Sequence, residues 1–371
     1  MQRICKPLPT LLVLATLSAA VFAHAQTITT FDPPNSTATF AVTINLSGQI
    51  AGTYIDGSAV SPQVEQKGFI RERDGTFKTF VPTAVEGTQT VELRSWVSDI
   101  SLTGEVVGTC LDPYPITSCG FLRHKDGTVI RFGGAPSPSA PMLMSQAAVL
   151  NSPLLCDDYR CIDGTGAFGI NALGQITGVF GNTSYSGFLR QKDGITIDFT
   201  AAPGNLVTSP RAINLFAQIT GMSRAPFPDR GFLRQPNGTI VLFDPPTSTV
   251  TRPQSINLFG QIVGYFKDSS GLQHGFLRQP SGSIVTFDPQ GSTGTQAESI
   301  NFWGEIAGFY VTADGKSHGF LRRANGNFDV IDVPGASGSG TFPREINDLG
   351  VIAGFYEDAS SVVHGFIRTR N

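Results

Sequence analysis

The densest cluster of reactive side chains in this sequence is Asp157, Asp158, Tyr159 and Arg160, held between Cys156 and Cys161. Adjacent carboxylates can serve as acid and base or bind calcium. A neighbouring tyrosine can stack on a sugar ring. These four residues are the candidate binding site. They lie in the least repetitive stretch of the chain, residues 133–168, which opens with Pro136-Ser137-Pro138-Ser139 and carries Met142-Leu143-Met144 in its middle. A loop of that length is uncommon without a purpose, although the same features also describe a decorative loop pinned by a disulfide.

Two further sets recur with the repeat described below. His274, His318 and His364 occupy equivalent positions, as do Arg71, Arg123, Arg190, Arg234, Arg278, Arg322 and Arg368. A shared metal is excluded by geometry. Histidines on the third strand of successive sheets start about 10 Å or more apart if strands are spaced by about 4.8 Å, whereas zinc holds its nitrogens at about 2.1 Å. The arginines read as scaffold, with packed stems and hydrogen bonds to turn carbonyls or acids. The chain contains no nucleophile elbow, no His-Glu-x-x-His helix and no phosphate or dinucleotide loop. We therefore assign no catalytic residue, no metal and no cofactor from the sequence.

What must position these groups is a repeat. The phrase Ile-Asn-x-x-Gly-Gln-Ile-x-Gly is followed by a variable loop, then Gly-Phe-Leu-Arg, a turn, and a short strand ending in Phe-Asp-Pro. Its Gly-Phe steps fall at Gly68, Gly120, Gly187, Gly231, Gly275, Gly319 and Gly365, so later copies recur about every 44 to 46 residues, the period of a propeller blade. The seventh copy stops near Arg368, and the missing strand stands at the other end, Thr27-Ile28-Thr29-Thr30-Phe31-Asp32-Pro33. The expected fold is all-β: a seven-bladed β-propeller of four-stranded blades, closed by the N-terminal strand completing the last blade. If Thr83–Ser98 or the 133–168 insertion hides a degenerate blade, the count is eight.

Within one copy, four short strands alternate with turns. In Gly275-Phe276-Leu277-Arg278, Phe276 and Arg278 should face one neighbouring blade and Leu277 the other. The turns after the first and third strands share one regular rim. The remaining connections share the other rim and carry the length variation, with about 20 residues from Phe80 to Ile100 and about 38 from Phe132 to Ile170. Binding residues are expected on that second rim.

The first residues carry Arg3 and Lys6, an apolar run from Leu11 to Ala23, and Ala23-His24-Ala25, the pattern of a cleaved secretory signal over residues 1–25. The run is too short to span a bilayer, so residues 26–371 are expected as one propeller domain without a membrane span, secreted or periplasmic. Removing Arg3 and Lys6 leaves about 24 basic against 29 acidic residues and no basic cluster. Nucleic acid is not an expected partner. Of the remaining cysteines, Cys110 and Cys119 bracket one hairpin and Cys156 and Cys161 one short segment. An even count in an exported chain favours disulfides, and local pairing is chosen from three connectivities, with a zinc site as the other reading.

The Ile-Asn-x-x-Gly-Gln-Ile-x-Gly-x-Tyr, His-Gly-Phe-Leu-Arg and Phe-Asp-Pro phrases resemble the HAF family of probable extracellular repeats, with Gly where the family name has Ala, as in His274-Gly275-Phe276. The resemblance implies a bacterial exported protein and carries over no catalytic residue. The expected function is a monomeric, secreted, non-catalytic binding scaffold whose partner is an extracellular ligand, a glycan or a protein. The alternative is a glycan-binding or glycan-cleaving propeller that uses the 133–168 insertion.

Overall fold

The structure is a computed structural model that describes residues 26–370 except 60–64, 87–88, 114–115, 134–155, 158–159, 162–163, 182–183, 205 and 225–227. Residues 1–25, the expected secretory signal, and most of the 133–168 insertion lie outside the described residues. Every regular element among the described residues is a β-strand. None of them is a helix long and apolar enough to cross a membrane.

The repeat phrase becomes an antiparallel meander. In the fifth copy, Val250–Ile256 pairs with Ile262–Lys267, which pairs with Gln273–Arg278, which pairs with Ile284–Phe287. Three such groups stand as separate four-stranded sheets, and the others join a sixteen-stranded mixed sheet. The joints within that sheet are thin: one parallel residue pair each at Ser118 and Gly164, Tyr185 and Val207, and Asp229 and Val250. The stretch suspected of hiding a further blade contains a two-stranded hairpin, Thr83–Glu86 with Gln89–Glu92. The first strand of the next copy, Arg94–Ile100, follows it directly.

Alternation across the strands works as the sequence predicts. Phe276 meets Phe243 of the preceding copy edge-on at 6.1 Å, and the Arg278 guanidinium lies 4.9 Å from the same ring. Leu277 packs the opposite way, in a cluster with Phe287, Ile300 and Phe320. The Arg278 Nη1 also donates to the Gln279 carbonyl at 3.2 Å, the turn contact expected of it. The contact with Phe243 is additional, and it recurs for Arg71 over Phe31 and Arg234 over Phe199. Each such pair contributes roughly 0.5–2 kcal/mol and ties one copy to the one before it.

The Phe-Asp-Pro phrase is explained by its aspartate. Asp288 pairs with His274 Nδ1 at 2.7 Å and accepts from the Thr295 hydroxyl of the next copy at 2.6 Å. Asp32 does the same between the two ends of the chain, pairing with His364 Nδ1 at 2.7 Å and accepting from Thr39. Partial burial acts against the charged form of His274 and His364, but the neighbouring aspartates outweigh it and hold both above the usual imidazole range. The histidines are therefore structural, each stapled to its own sheet.

The strand at the start of the described chain, Gln26–Phe31, pairs antiparallel with Val363–Arg370, placing Thr30 opposite Phe366 and Phe31 opposite Gly365. Gly365 is required here, since a Cβ on it would stand 2.5 Å from the Phe31 ring. Phe31 packs edge-on against Phe69 of the first copy.

Cys110 and Cys119 face each other in register and are disulfide-bonded. The backbones of Cys156 and Cys161 stand opposite in a two-residue antiparallel pair, with Asp157 opposite Arg160.

Candidate functional site

Each first strand carries a β-bulge two to three residues before its terminal Asn or Ser. In the fifth copy the register shifts between Pro253 and Ser255, and in the seventh between Pro343 and Glu345. The same shift occurs in every other copy. A bulge inserts one residue and re-aims its side chain. The sequence makes room for it on the second strand: a Cβ at Gly264 would lie 2.0 Å from the Arg252 carbonyl oxygen. This is the physical reason for the glycine in Ile-x-Gly. Gly264→Ala should therefore lower unfolding free energy by about 3 kcal/mol, the upper end of the usual overpacking cost, read as a lower midpoint in urea.

The bulged residues are Val42, Ser98, Phe168, Arg211, Gln254, Glu298 and Arg344. All seven line one open-mouthed pocket. The inner strands around it lie against one another in succession, and Ser36–Ile44 lies against both Arg94–Ile100 and Thr341–Ile346.

Amides hold this arrangement in place. The Asn257 Nδ2 donates to the Asn301 carbonyl, Asn301 to Asn347, and Asn347 to Asn45, at 3.0–3.2 Å. Asn45, Asn171 and Asn214 hand on the same bond. In the second copy the position is Ser101, whose hydroxyl bonds Thr103 and the Glu105 amide instead.

The pocket is chemically lopsided. Val42 and Phe168 are apolar, while Arg211 donates to Gln254 at 2.9 Å and Arg344 pairs with Glu298 at 3.1 Å. Beside them lie two further carboxyls, Asp99 and Glu345, on either side of Thr43. Asp99 accepts from the backbone N–H of Ile170 at 2.9 Å, from that of Ile100 at 2.8 Å and from the Thr43 hydroxyl at 3.2 Å. Burial raises its pKa to about 6 against the lowering effect of those bonds. Glu345 also bonds Thr43 and is pushed up to about 8, first by burial and then by the charge of Asp99. Near neutral pH Glu345 thus carries a proton while Asp99, with three donors, is the ionised member. The Thr43 hydroxyl can accept from Glu345 and donate to Asp99, forming a short proton relay. Among the described residues no group of three or more His, Cys, Asp or Glu is placed to hold a metal ion.

Of the residues singled out from sequence, Asp158 and Tyr159 lie outside the described residues, and Asp157 and Arg160 are placed by backbone alone. The pocket residues were missed. Their signal was present as variation: the position three before the terminal Asn or Ser takes six residue types in seven copies of an otherwise repeated phrase.

No family model matches the chain, and no curated protein matches it. Solved structures do. A catalytically inactive virginiamycin B lyase from Staphylococcus aureus, crystallised with quinupristin, superposes with a TM-score of 0.57 at 13% identity over 94% of this chain and 100% of that one. Its fold is propeller-like and all-β. A puromycin hydrolase (TM-score 0.54, 11% identity) and the Pyrococcus horikoshii acylaminoacyl peptidase (0.53, 10%) align with 90% and 91% of this chain. Each match takes in 53% of the longer protein. At these identities the likeness is one of fold.

Proposed function

We propose that the repeat copies are seven four-stranded blades of a closed propeller, exported to the periplasm or medium, which binds a small polar ligand at its axis as a non-catalytic scaffold. Closure is supported by the pairing of Gln26–Phe31 with Val363–Arg370 and by the Asn347-to-Asn45 bond. Export is supported by the leader pattern and agrees with the Cys110–Cys119 disulfide. Membership of the HAF-type repeats rests on the repeat grammar.

The observation that carries the binding reading is the set of bulged residues. Seven equivalent strands deliver six different residue types to one pocket, arginine twice, and five of the seven side chains can hydrogen-bond: Ser98, Arg211, Gln254, Glu298 and Arg344. Scaffold positions repeat in every copy, and these do not. An ionised carboxylate beside two arginines and an apolar wall suits a hydroxyl- or ammonium-bearing molecule with an apolar edge.

A thermal-shift screen of monosaccharides, amino sugars and polyamines tests this. A saturable stabilisation, weakened at least tenfold in Asp99→Asn, is expected. A stabilisation indifferent to that substitution would remove the pocket from the account. A second reading, an acid–base enzyme, is favoured by the Asp99–Thr43–Glu345 relay. Turnover of a bound ligand that disappears in Glu345→Gln would establish it instead. A glycan-cleaving role for Asp157, Asp158 and Tyr159 predicts hydrolysis lost on removing residues 133–168.

A further inference from the structure

The rim opposite the long loops carries a second surface. The turn after each first strand presents an apolar side chain to solvent: leucine at Leu46, Leu102, Leu173 and Leu349, and an aromatic at Phe216, Phe259 and Trp303, which is 64% exposed. The amide bonds between copies set these turns at the same ends of adjoining strands. Each turn is also rigid. Asn257 Oδ1 accepts from the N–H of Phe259 and Gln261, and the Trp303 indole donates to the Asp348 carbonyl at 2.9 Å. Asp348 is the one ionisable residue in all seven turns.

We propose that this crown is the contact face of a homodimer, two copies meeting rim to rim. Contiguous apolar surface on this scale marks an interaction site, and three arguments select a second copy. The first is area: seven side chains of Leu, Phe and Trp size, from 42% to 64% exposed, with their turn backbones, approach the ~800 Å² per partner of a standard interface. The second is charge: the tips of the seven turns carry only Asp348, so they meet their own like with few ions to bury, while the charged side chains of the same rim stand alongside them, Arg73 beside Gly48, Lys192 beside Gly174 and Arg370 beside Gly350. The third is shape. An open groove of about 270 Å³ lies between Leu46 and Leu349, with Arg71 and Arg73 at its edge, while the next turn back offers Trp303 as a projecting aromatic. A two-fold axis lets the Trp303 of each copy enter the groove of the other, the arrangement of an aromatic anchor in its pocket. Rigid turns keep the ordering cost of association low. The sequence had led to the expectation of a monomer, since it does not reveal that these seven turns share one face.

Sedimentation velocity on the full exported chain decides the matter. At tens of micromolar the chain should sediment at twice its monomer mass, and Trp303→Ser with Phe259→Ser should weaken the association at least tenfold. Both side chains are exposed, so the melting temperature of the dissociated variant should match that of the dilute parent. Leu349→Arg, which places a charge at the groove, should act in the same way. A monomer at that concentration overturns the proposal. So does a dimer that persists in the double variant, or a monomer that binds uncharged phosphatidylcholine vesicles through the same residues.

Discussion

A chain lacking residues 26–31 should lose cooperative folding, or melt at least about 10 °C lower, and should recover when supplied with a peptide spanning Gln26 to Pro34. The six-residue strand satisfies the open edge of Val363–Arg370. It also delivers Phe31, buried with Phe69 and Tyr54, and Asp32, which staples His364 to Thr39. Removing one buried Phe alone costs about 3–5 kcal/mol, and a domain's total stability is about 5–15 kcal/mol. The deletion therefore removes a large share of the whole, and each kcal/mol moves the melting temperature by about 2–4 °C in a chain of 150–250 residues. Rescue by added peptide follows because strand addition supplies the same main-chain bonds in trans. A truncated chain that melts as the parent does would show that the two ends are not joined in solution.

The second large effect is at Glu345. Its folded pKa, raised to about 8, lies above the value of about 4.5 expected when the chain unfolds. The folded state therefore holds a proton that the unfolded state has released over this interval. Stability is unaffected below about pH 4.5, falls as pH rises toward 8, and above that carries the full cost of an ionised carboxylate in the half-buried pocket wall. Glu345→Gln keeps the shape and removes the charge. The variant should match the parent at pH 4 and exceed it at pH 9 by several degrees in melting temperature, since each unit of displaced pKa corresponds to about 1.4 kcal/mol. Equal melting temperatures at pH 9 would mean that Glu345 is solvated rather than enclosed.

The scaffold was legible in the sequence because its requirements are local and repeated. Gly365 leaves space for one ring, Phe276 fills one interface, and a copy lacking its last strand announces where that strand must come from. The pocket was not legible in the same way. Its bulged residues stand 43 to 302 positions apart in sequence and meet only once the strands are gathered, and a bulge reverses the side-chain parity on which a strand-by-strand reading relies. The crown escaped for a related reason. Leu258-Phe259-Gly260 reads locally as a turn, and its apolar tip gains meaning only beside six others. Six of the seven arginines lie over a ring of the preceding copy, a contact that depends on a neighbour the sequence does not place.

Ser101 gives the pocket a mechanical consequence. Without a carboxamide it cannot pass a bond to the third copy, and at that joint the Asp99 carboxylate reaches across to the Ile170 N–H instead. An ionisable group at the pocket wall thus joins the Ser118–Gly164 pair in holding these two copies together. Protonating Asp99 weakens that acceptor, so acidity bears on this one seam, whereas the carboxamide bond between the third and fourth copies is indifferent to it.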